Sequence, residues 1–469
     1  MKRDIIISSL LNQVQVAVVE NGRLVEYYLE RDCKERLESN IYKGQVENVL
    51  PGMGAAFVDI GTAKNAFLFL ADAANGLKIG ESIMVQVSKE AVGTKGPRVT
   101  TKISLPGRYL VLMPCQDHIG VSRQITSEDE RLRLKEIAED IRPEGIGLIV
   151  RTVAESCTKE DLQQDLAELL DEWSRIEKKY KGTLPSPLLY QDYDLVYRIL
   201  RDLYAVENTK IVVDSAELQR RVEDELANLG VKEKAPVELY QGKVDLLVHL
   251  GLMKELERAG NNRVWLDCGG YLIFNQTEAL MSIDVNTGKY VGSKSLQDTV
   301  LKTNLQAAEE IAFQLRLRNT GGIVIIDFID MVDPKDRKAV LEQLATSLRA
   351  DKTRTNLLGF TRLGLVELTR KKTERLLSHV LEVDCPYCRG RGRVLSDETV
   401  AFQIAKEVRS LALENVKALE VYCHPAVAGF VIGPKGSNLQ ALEKHTGKKT
   451  FVHGDESLVR QDYKVLAID

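Results

Sequence analysis

Acidic and amide side chains follow two apolar stretches that are typical of β-strands. The first stretch, ALMSIDVN, ends with Asp284 and Asn286, and the second, GGIVIID, ends with Asp327. In an open α/β sheet, ligands bind beyond the carboxyl ends of the strands. Two carboxylates and an amide supply the hard oxygen ligands that Mg²⁺ prefers. A metal held there would activate water and offset negative charge on a phosphate.

The segment between the two aspartates contains a predicted amphipathic helix near TVLKTNLQAAEEIAFQLRLRN, which could act as a crossover between neighbouring strands. Asp284 and Asn286 share a face of a straight strand, because side chains alternate along it. The alternative for a lone aspartate after a strand is that it caps the following turn or helix. Two acidic strand ends that flank one crossover favour a shared site.

A metal-free cleavage of a phosphodiester through a neighbouring hydroxyl would require a general acid and a general base, which are often histidines. The six histidines show no local pairing along the sequence, which leaves pairing in space open. They are His118, His249, His379, His424, His445 and His453.

Cys385 and Cys388 form a C-x-x-C pair followed by Arg-Gly-Arg-Gly, which is half of a zinc knuckle. Structural zinc takes four ligands, so two are missing. They could come from His379 and a distant residue, or from the same cysteines of a second chain. The alternative is two ordinary thiols near a turn. We expect the remaining cysteines to be small core residues, namely Cys33, Cys115, Cys157, Cys268 and Cys423.

Three other segments could contact a nucleic acid. VENVLPGMGAAFVDIGTAKNAFLFL resembles an OB-fold barrel, in which exposed rings stack on bases beside a basic rim. Phe57 and Phe67 are the candidate rings and Lys95 is a candidate phosphate contact, although a phenylalanine on a strand can equally be a core residue. Lys435 lies in Gly-Pro-Lys-Gly, which resembles the G-x-x-G loop of KH domains or is a plain turn.

The third segment, GIGLIVRT, places Arg151 and Thr152 at the end of a predicted strand. An arginine fork with a hydroxyl just before a capped helix suits a terminal phosphate. The alternative is an exposed arginine in a loop.

Bulk composition limits these interpretations. A chain of 469 residues is long enough for several domains, and its net charge of −4 requires any positive RNA-binding surface to be local. No apolar run approaches the length needed to span a bilayer. The N-terminal stretch is predicted to form strands rather than a signal peptide. An odd number of cysteines, seven, favours a reducing cytoplasm.

The sequence also predicts several of the strands and helices that position these residues. Residues 1–36 are predicted to form a hairpin in which one alternating strand, IIISSLLNQVQVAVVE, turns at Asn21-Gly22 into RLVEYYLE. Short glycine-broken strands after residue 41 predict a small closed barrel. Ser127 and Thr158 begin helices with capping-box spacing, and the second helix ends near Gly182.

Three motifs, SIDVNTG, GGIVIIDFIDM and CPYCRGRG, in this order and spacing, resemble the ribonuclease E/G family and its short branch over essentially the whole chain. The resemblance implies that Asp284 and Asp327 are magnesium-binding catalytic residues supported by Asn286. It implies a structural zinc shared between protomers through Cys385 and Cys388, and hence a homodimer or larger homo-oligomer.

The same resemblance implies a pocket for a 5′-monophosphate. Gly107, Val111, Arg151 and Thr152 would line this pocket, and Arg354 would buttress it. Phe57 and Phe67 match positions of the family that hold RNA.

The implied fold is a multidomain α+β chain with an RNase H-like subdomain, an inserted OB-fold barrel and 5′-sensor region, a DNase I-like catalytic subdomain, a zinc-link and a small C-terminal KH-like α/β domain. The predicted boundaries are 1–36 with 197–259 for the RNase H-like part, 37–101 for the barrel, 102–196 for the 5′-sensor region, 260–380 for the catalytic part, 381–395 for the zinc-link and 396–469 for the KH-like domain.

The expected function is Mg²⁺-dependent endonucleolytic hydrolysis of single-stranded RNA in rRNA processing and mRNA decay, stimulated by a 5′-monophosphate. We expect no membrane insertion. The alternative is a non-catalytic RNA-binding or assembly factor that uses the OB and KH-like modules, with structural acids. A phosphorolytic exonuclease also combines such modules, but no matching catalytic region is present in the sequence.

Overall fold

The computed structural model of this chain divides into two compact units, Met1–Val380 and Leu381–Asp469. No helix in the described part of either unit is both long and apolar enough to cross a membrane. The structure describes residues 2–31, 36–73, 76–90, 95–182, 188–204, 209–229, 236–288, 296–412 and 416–468.

The strands within these described ranges belong to five sheets. In chain order they are β1 (Arg3–Leu10), β2 (Gln13–Glu20), β3 (Arg23–Arg31), β4 (Ile41–Leu50), β5 (Ala55–Asp59), β6 (Ala66–Phe69), β7 (Ser82–Lys89), β8 (Arg98–Thr100), β9 (Leu105–Pro106), β10 (Leu110–Met113), β11 (Ile119–Val121), β12 (Gly147–Val150), β13 (Leu188–Tyr190), β14 (Thr209–Val213), β15 (Val237–Leu239), β16 (Arg263–Trp265), β17 (Tyr271–Gln276), β18 (Leu280–Asn286), β19 (Gly322–Asp327), β20 (Thr355–Phe360), β21 (Val366–Arg370), β22 (Ala418–Cys423), β23 (Lys449–Gly454) and β24 (Tyr463–Ile468).

The α-helices alternate with these strands along the chain. They are α1 (Glu128–Ile141), α2 (Lys159–Gly182), α3 (Leu195–Leu203), α4 (Ala216–Asn228), α5 (Leu246–His249), α6 (Leu252–Gly260), α7 (Leu296–Leu317), α8 (Pro334–Leu348), α9 (Leu377–Leu381), α10 (Asp397–Leu411), α11 (Pro425–Ile432) and α12 (Ser437–Thr446).

One sheet combines the N-terminal strands with two much later ones, in the order β15-β14-β1-β2-β3. The predicted turn at Asn21 and Gly22 is confirmed, because both residues have positive φ and join β2 to β3. The single long strand predicted before that turn is wrong. Leu11 and Asn12 also adopt positive φ, so the chain turns between β1 and β2 at a point that no glycine marks.

The glycine-rich strands form a small closed barrel, as predicted. They pair in the order β4-β5-β6-β8-β7, and pairing of β4 with β7 closes the ring. A Cβ at Gly44 of β4 would lie only 2.4 Å from Cγ1 of Val58, so the close approach of these strands requires glycine. β13 comes from the segment predicted to form the 5′-sensor region, yet it pairs with the start of β4.

A four-stranded sheet, β11-β12-β10-β9, shares an apolar core with α1 and α2. Both predicted helix starts are confirmed. The Ser127 hydroxyl accepts a hydrogen bond from the backbone N–H of Glu130 at 3.3 Å, and the Thr158 hydroxyl accepts one from Asp161 at 3.2 Å. The second helix ends at Gly182, also as predicted.

The acidic strand ends lie in a six-stranded sheet, β16-β17-β18-β19-β21-β20. β18 and β19 are parallel neighbours connected through α7, so the predicted crossover is confirmed. Apolar side chains of α7 and α8 share one core cluster with one face of this sheet.

A buried ion-pair network joins α7 to the N-terminal sheet. The Arg316 guanidinium donates to carboxylate oxygens of Glu20 at 2.7 Å and of Glu26 at 2.8 Å. Burial raises the pKa of the Glu20 carboxyl, but hydrogen bonds and positive charge from Arg316 and Arg3 lower it, and the net shift is downward. Burial of this kind makes each partner costly to remove alone.

The second unit is an α/β domain built on three strands. β22 lies between β23, which is parallel to it, and β24, which is antiparallel. α10, α11 and α12 contribute to its apolar core. The Gly-Pro-Lys-Gly sequence joins α11 to α12.

Replacing Arg316 with methionine removes the guanidinium that the buried Glu20 and the half-buried Glu26 share, and leaves Glu20 its ion pair with Arg3. We expect the free energy of unfolding at neutral pH, measured by urea denaturation, to fall by about 3–5 kcal/mol. The matched control is Arg175→Met, which removes an exposed ion pair with Asp171 and should cost less than about 1 kcal/mol.

The pH dependence of stability tests the same pairing. Because the pKa of Glu20 is lower in the folded chain, its stabilising contribution is present above its unfolded pKa and is lost as the pH falls through the folded value. The unmodified protein should therefore lose stability below about pH 5 more steeply than Arg316→Met. Equal slopes for the two proteins would contradict the assigned pairing.

Candidate active site and its neighbouring surfaces

The register of β18 and β19 brings the two predicted carboxylates together. Asp284 and Asp327 are directly paired across the parallel strands, and both side chains are exposed. Their chain neighbours Ile283 and Ile326, which point the other way, are buried in the core shared with α7. Both acids therefore emerge on the same face of the sheet, which is the opposite face from that core.

The third predicted residue, Asn286, also reaches this pair. Its amide nitrogen donates a hydrogen bond to Oδ2 of Asp284 at 2.7 Å. Partial burial and the negative charges of Asp284 and Asp330 raise the pKa of the Asp327 carboxyl. A bound cation would offset crowded negative charge of this kind.

The donor set fits Mg²⁺ better than a fully caged metal. Among the residues that the structure describes, no group of three or more His, Cys, Asp or Glu side chains could hold a metal ion. Asp284 and Asp327 thus supply two carboxylates, with the Asn286 amide beside them. Mg²⁺ is commonly held by one or two carboxylates, with water and phosphate oxygens at its other positions.

Asn304 is a residue that sequence reasoning missed. It is fully buried on α7, where its amide nitrogen donates to the Ile329 carbonyl at 2.8 Å and its amide oxygen accepts from the Ile329 N–H at 3.1 Å. These bonds hold the loop that follows Asp327 and carries Asp330. The sequence did contain a signal for this role. Asn304 lies on the same face of α7 as Ala308 and other buried apolar residues, where a polar side chain must find a hydrogen-bonding partner.

The predicted phosphate-binding residues gather at one end of the four-stranded sheet. The Arg151 guanidinium donates to the Gly107 carbonyl at 2.6 Å and to Oδ1 of Asp202 at 2.6 Å. Val111 lies on β10, next to the strand that leads into Arg151. The Thr152 hydroxyl is 2.8 Å from the Ser122 hydroxyl.

Asp165 explains why a glycine stands at 107. Its buried carboxylate accepts hydrogen bonds from the backbone N–H groups of Arg108, Tyr109 and Leu110 at 3.0, 2.9 and 2.8 Å. A Cβ at Gly107 would lie 2.6 Å from the same carboxylate, so the turn excludes a side chain there. Sequence reasoning missed this acid, because it lies far along the chain on α2.

Arg354 is linked to this group indirectly. Gln124 donates to the Lys352 carbonyl at 2.6 Å, and its amide oxygen accepts from the Thr152 hydroxyl at 3.2 Å. The segment before the exposed Arg354 is therefore connected to Thr152 through one side chain.

The predicted aromatic residues lie on the outer surface of the barrel. Phe57 and Phe67 pair across β5 and β6, with ring centroids 6.0 Å apart and an edge-to-face angle of 82°. Phe69, which sequence reasoning missed, continues the row 4.8 Å beyond Phe67, and the guanidinium of Arg98 lies 4.2 Å from its ring centroid. Lys95 is exposed in the segment just before β8.

Backbone N–H groups surround the thiols of the C-x-x-C pair. Hydrogen bonds from the backbone of Cys388 and Tyr387, and then from the Cys388 side chain, lower the pKa of the exposed Cys385 thiol. The N–H of Gly392 points to Sγ of Cys388 at 3.3 Å. Both sulfurs therefore accept backbone hydrogen bonds, and two thiolates are only two of the four ligands that structural zinc needs.

The expectation that the other cysteines are core residues holds only in part. Cys423 is buried, while Cys157 and Cys268 are half-buried. Cys115 is exposed, because it lies in the turn after β10 and not on a strand. Cys33 lies outside the described residues.

Lys435 is exposed at the tip of the Gly-Pro-Lys-Gly loop, where it adopts a left-handed φ of 52°. The loop is braced by Asn438, whose amide nitrogen donates to the Phe430 carbonyl at 2.9 Å. A Cβ at Gly433 would lie 2.5 Å from the Asn438 side chain, so this close approach requires glycine.

Comparison with known proteins defines the class. The Ribonuclease E/G family model matches residues 104–373, and the model of its thioredoxin-like domain matches residues 384–468. Ribonuclease G of Haemophilus influenzae is 40% identical over 484 aligned residues, which cover 97% of this chain and 98% of the relative. For ribonuclease G of Escherichia coli (strain K12) the identity is 38% over 488 residues, which cover 99% and 100%.

These matches identify an endoribonuclease that acts in RNA processing, so the alternative of a non-catalytic RNA-binding factor is set aside. The chain belongs to the ribonuclease E/G family. Within the family it is most like ribonuclease G, whose whole length it matches. Ribonuclease E of Nostoc sp. is 39% identical over 404 residues, but these cover only 59% of that relative.

The KH-like fold predicted for residues 396–469 is replaced by the thioredoxin-like domain of the family model. That prediction depended on the Gly-Pro-Lys-Gly sequence alone. In the structure this sequence is a turn between two helices, which is a feature that many α/β domains share.

Proposed function

We propose that this endoribonuclease hydrolyses single-stranded RNA with Mg²⁺ held by Asp284 and Asp327 and supported by Asn286. The observation that carries the proposal is the direct pairing of the two aspartates on an exposed sheet face. The proposed substrates are rRNA precursors and mRNA. The cytoplasmic location of the protein stays a prediction.

Bound Mg²⁺ would supply a Lewis acid and a water of lowered pKa. The residues of the chain orient the reacting groups. Asp284 and Asp327 place two carboxylate oxygens side by side, and the hydrogen bond from Asn286 restricts rotation of the Asp284 carboxylate. Asn304 holds the loop with Asp330, which concentrates negative charge at one end of the sheet. Preorganisation of this kind lowers the cost of reaching the transition state.

A 5′-monophosphate stimulates cleavage, in this proposal, by binding Arg151 and Thr152 with Gly107 and Val111 around them. The Arg151 guanidinium already holds the Asp202 carboxylate, so its outer edge has the geometry that an anion requires. A terminal phosphate would compete with Asp202 for that edge. Arg354 supports the pocket through the Gln124 contacts.

Single strands are gathered, in the same proposal, by the outer row of Phe57, Phe67 and Phe69 on the barrel. Bases stack on aromatic rings regardless of sequence, and Arg98 and Lys95 add positive charge for the backbone. Lys435 is a further proposed phosphate contact. An OB-type function of the barrel agrees with its closed five-strand order.

Cys385 and Cys388 hold, we propose, one half of a zinc site that the same cysteines of a second chain complete. The support is the backbone N–H groups of Tyr387, Cys388 and Gly392 at the two sulfurs and the lowered pKa of Cys385. A homodimer or larger homo-oligomer follows, because a site with two thiolates is incomplete.

Asp284→Asn tests the catalytic proposal. We expect cleavage of a short RNA in the presence of Mg²⁺ to fall on the order of 10³-fold or more, because the ligand charge is lost, while RNA affinity measured by fluorescence anisotropy stays nearly unchanged. The control is Glu367→Gln. Glu367 lies opposite Ile325 of β19, on the sheet face that carries the two aspartates, and the change removes one negative charge without altering either aspartate. Retained cleavage by Asp284→Asn would refute the role of this acid.

Thr152→Val tests the terminal-phosphate pocket without changing side-chain shape. We expect the preference for a 5′-monophosphate over a 5′-triphosphate on one short RNA to shrink severalfold, because a hydroxyl donor is lost. Cleavage of the 5′-hydroxyl form should not change. An undiminished preference would remove Thr152 from the pocket.

Cys385→Ser tests the shared zinc. We expect the variant to lose zinc and to run as a monomer in size-exclusion chromatography with light scattering, because a neutral hydroxyl is a poor ligand. Cys115→Ser, which changes another exposed thiol, should keep both zinc and oligomer. An unchanged oligomer with Cys385→Ser would eliminate the shared site.

A further inference from the structure

A cluster of exposed aromatic and cationic side chains lies near the carboxylate pair and is not used by the proposed reaction. Trp265 on β16 is 50% exposed, and its ring centroid is 5.2 Å from that of Tyr271 on β17. The guanidinium of Arg263 lies 4.7 Å from the centroid of the Tyr271 ring. We call Arg263, Trp265 and Tyr271 the aromatic cluster.

Strand register places this cluster on the same face as the carboxylates. Tyr271 is directly opposite Asn286, and Trp265 is directly opposite Tyr271. Neighbouring strands are about 4.8 Å apart, so the cluster begins about 5 Å from Asn286 and extends to about 10 Å. A second row crosses four strands beside the first, through Arg263, Ile273, Asp284 and Asp327.

Sheet stability alone does not account for the exposed indole. A cross-strand aromatic pair can stabilise an edge strand such as β16. This strand is already anchored by Val264, which is fully buried in the core, and by Arg258, which donates to the Trp265 carbonyl at 2.7 Å. Trp265 nevertheless remains half exposed to water, which forfeits the hydrophobic gain of burying it. A flat partner would recover that gain.

We propose that the aromatic cluster is a stacking subsite for an unpaired RNA base next to the scissile phosphate. The inference rests on the proposed function, because Asp284 and Asp327 define where that phosphate lies. Any base presents a π-face to the Trp265 and Tyr271 rings, so the subsite would accept all four bases. Arg263 adds positive charge to a face whose neighbouring groups are acidic, which favours a phosphate backbone there.

The subsite also gives a physical reason for preferring single strands at this position. A base within a duplex is stacked on its neighbours and must be unstacked, at a cost of a few kcal/mol, before it can reach a protein ring. An unpaired base avoids most of that cost. Selection for unpaired RNA would then occur beside the cleaved bond as well as on the distant barrel.

The chain contains two tryptophans, so fluorescence can isolate the subsite. In the double variant Trp173→Phe and Asp284→Asn, Trp265 is the single indole and bound RNA should stay intact. Titration with a short unstructured RNA should quench its emission, with a midpoint equal to that from anisotropy. In a series of oligonucleotides with one abasic site each, the quenching should disappear only when the missing base is next to the cleavage site.

Substitution supplies the energetic test. Trp265→Leu should weaken binding of the same RNA about tenfold and raise KM more than it lowers kcat. Trp265→Phe keeps a ring and should retain most of the affinity. Trp173→Phe is the matched control and should match the unmodified protein in both measurements.

Other outcomes overturn the inference. Unquenched Trp265 emission at saturating RNA, with Asp284→Asn inactive, would refute the subsite and leave the proposed function standing. Active Asp284→Asn would instead refute the proposed function on which the subsite rests. Unchanged RNA affinity together with a changed oligomeric state of Trp265→Leu, measured by light scattering, would assign this face to a second copy of the chain.

Discussion

Parallel pairing of β18 with β19 is the constraint on which the rest of the site depends. It sets Asp284 opposite Asp327 on one face, while Ile283, Val285 and Ile326 enter the core on the other. Because side chains alternate along a strand, a slip of one residue would send a carboxylate into that core and expose the isoleucines. The apolar pattern therefore enforces the position of the acids, and chemistry and folding use the same register.

The helix between these strands links the site to the remainder of the first unit. Asn304 on α7 holds the loop after Asp327, and Arg316, near the C-terminal end of the same helix, is paired with Glu20 and Glu26 of the N-terminal sheet. The helix is thus held at one position by hydrogen bonds to the active-site loop and at another by a buried ion pair. A change at either contact can shift the strand ends without touching the carboxylates.

Sequence patterns were sufficient where the determinants were local. Apolar runs ending in acids predicted β18 and β19, and side chains three residues apart predicted the helix starts at Ser127 and Thr158. The patterns failed where partners are distant or unmarked. Asp165 is recognisable only after α2 packs against the turn at Gly107, and Leu11 gives no sign of a left-handed turn. The Gly-Pro-Lys-Gly sequence predicted a loop correctly and a domain type incorrectly, because a turn does not determine strand order.

The assembly of the N-terminal sheet affects how the chain is made on the ribosome. β1 pairs with β14, with Ile5 opposite Ile211, so β1 lacks this neighbour until Thr209–Val213 has been synthesised. The barrel and the four-stranded sheet are encoded between them and are complete earlier. An apolar strand edge left open templates association with other chains. Nascent chains of this enzyme are therefore most exposed to aggregation during that interval, which makes it the stage where chaperones would matter most.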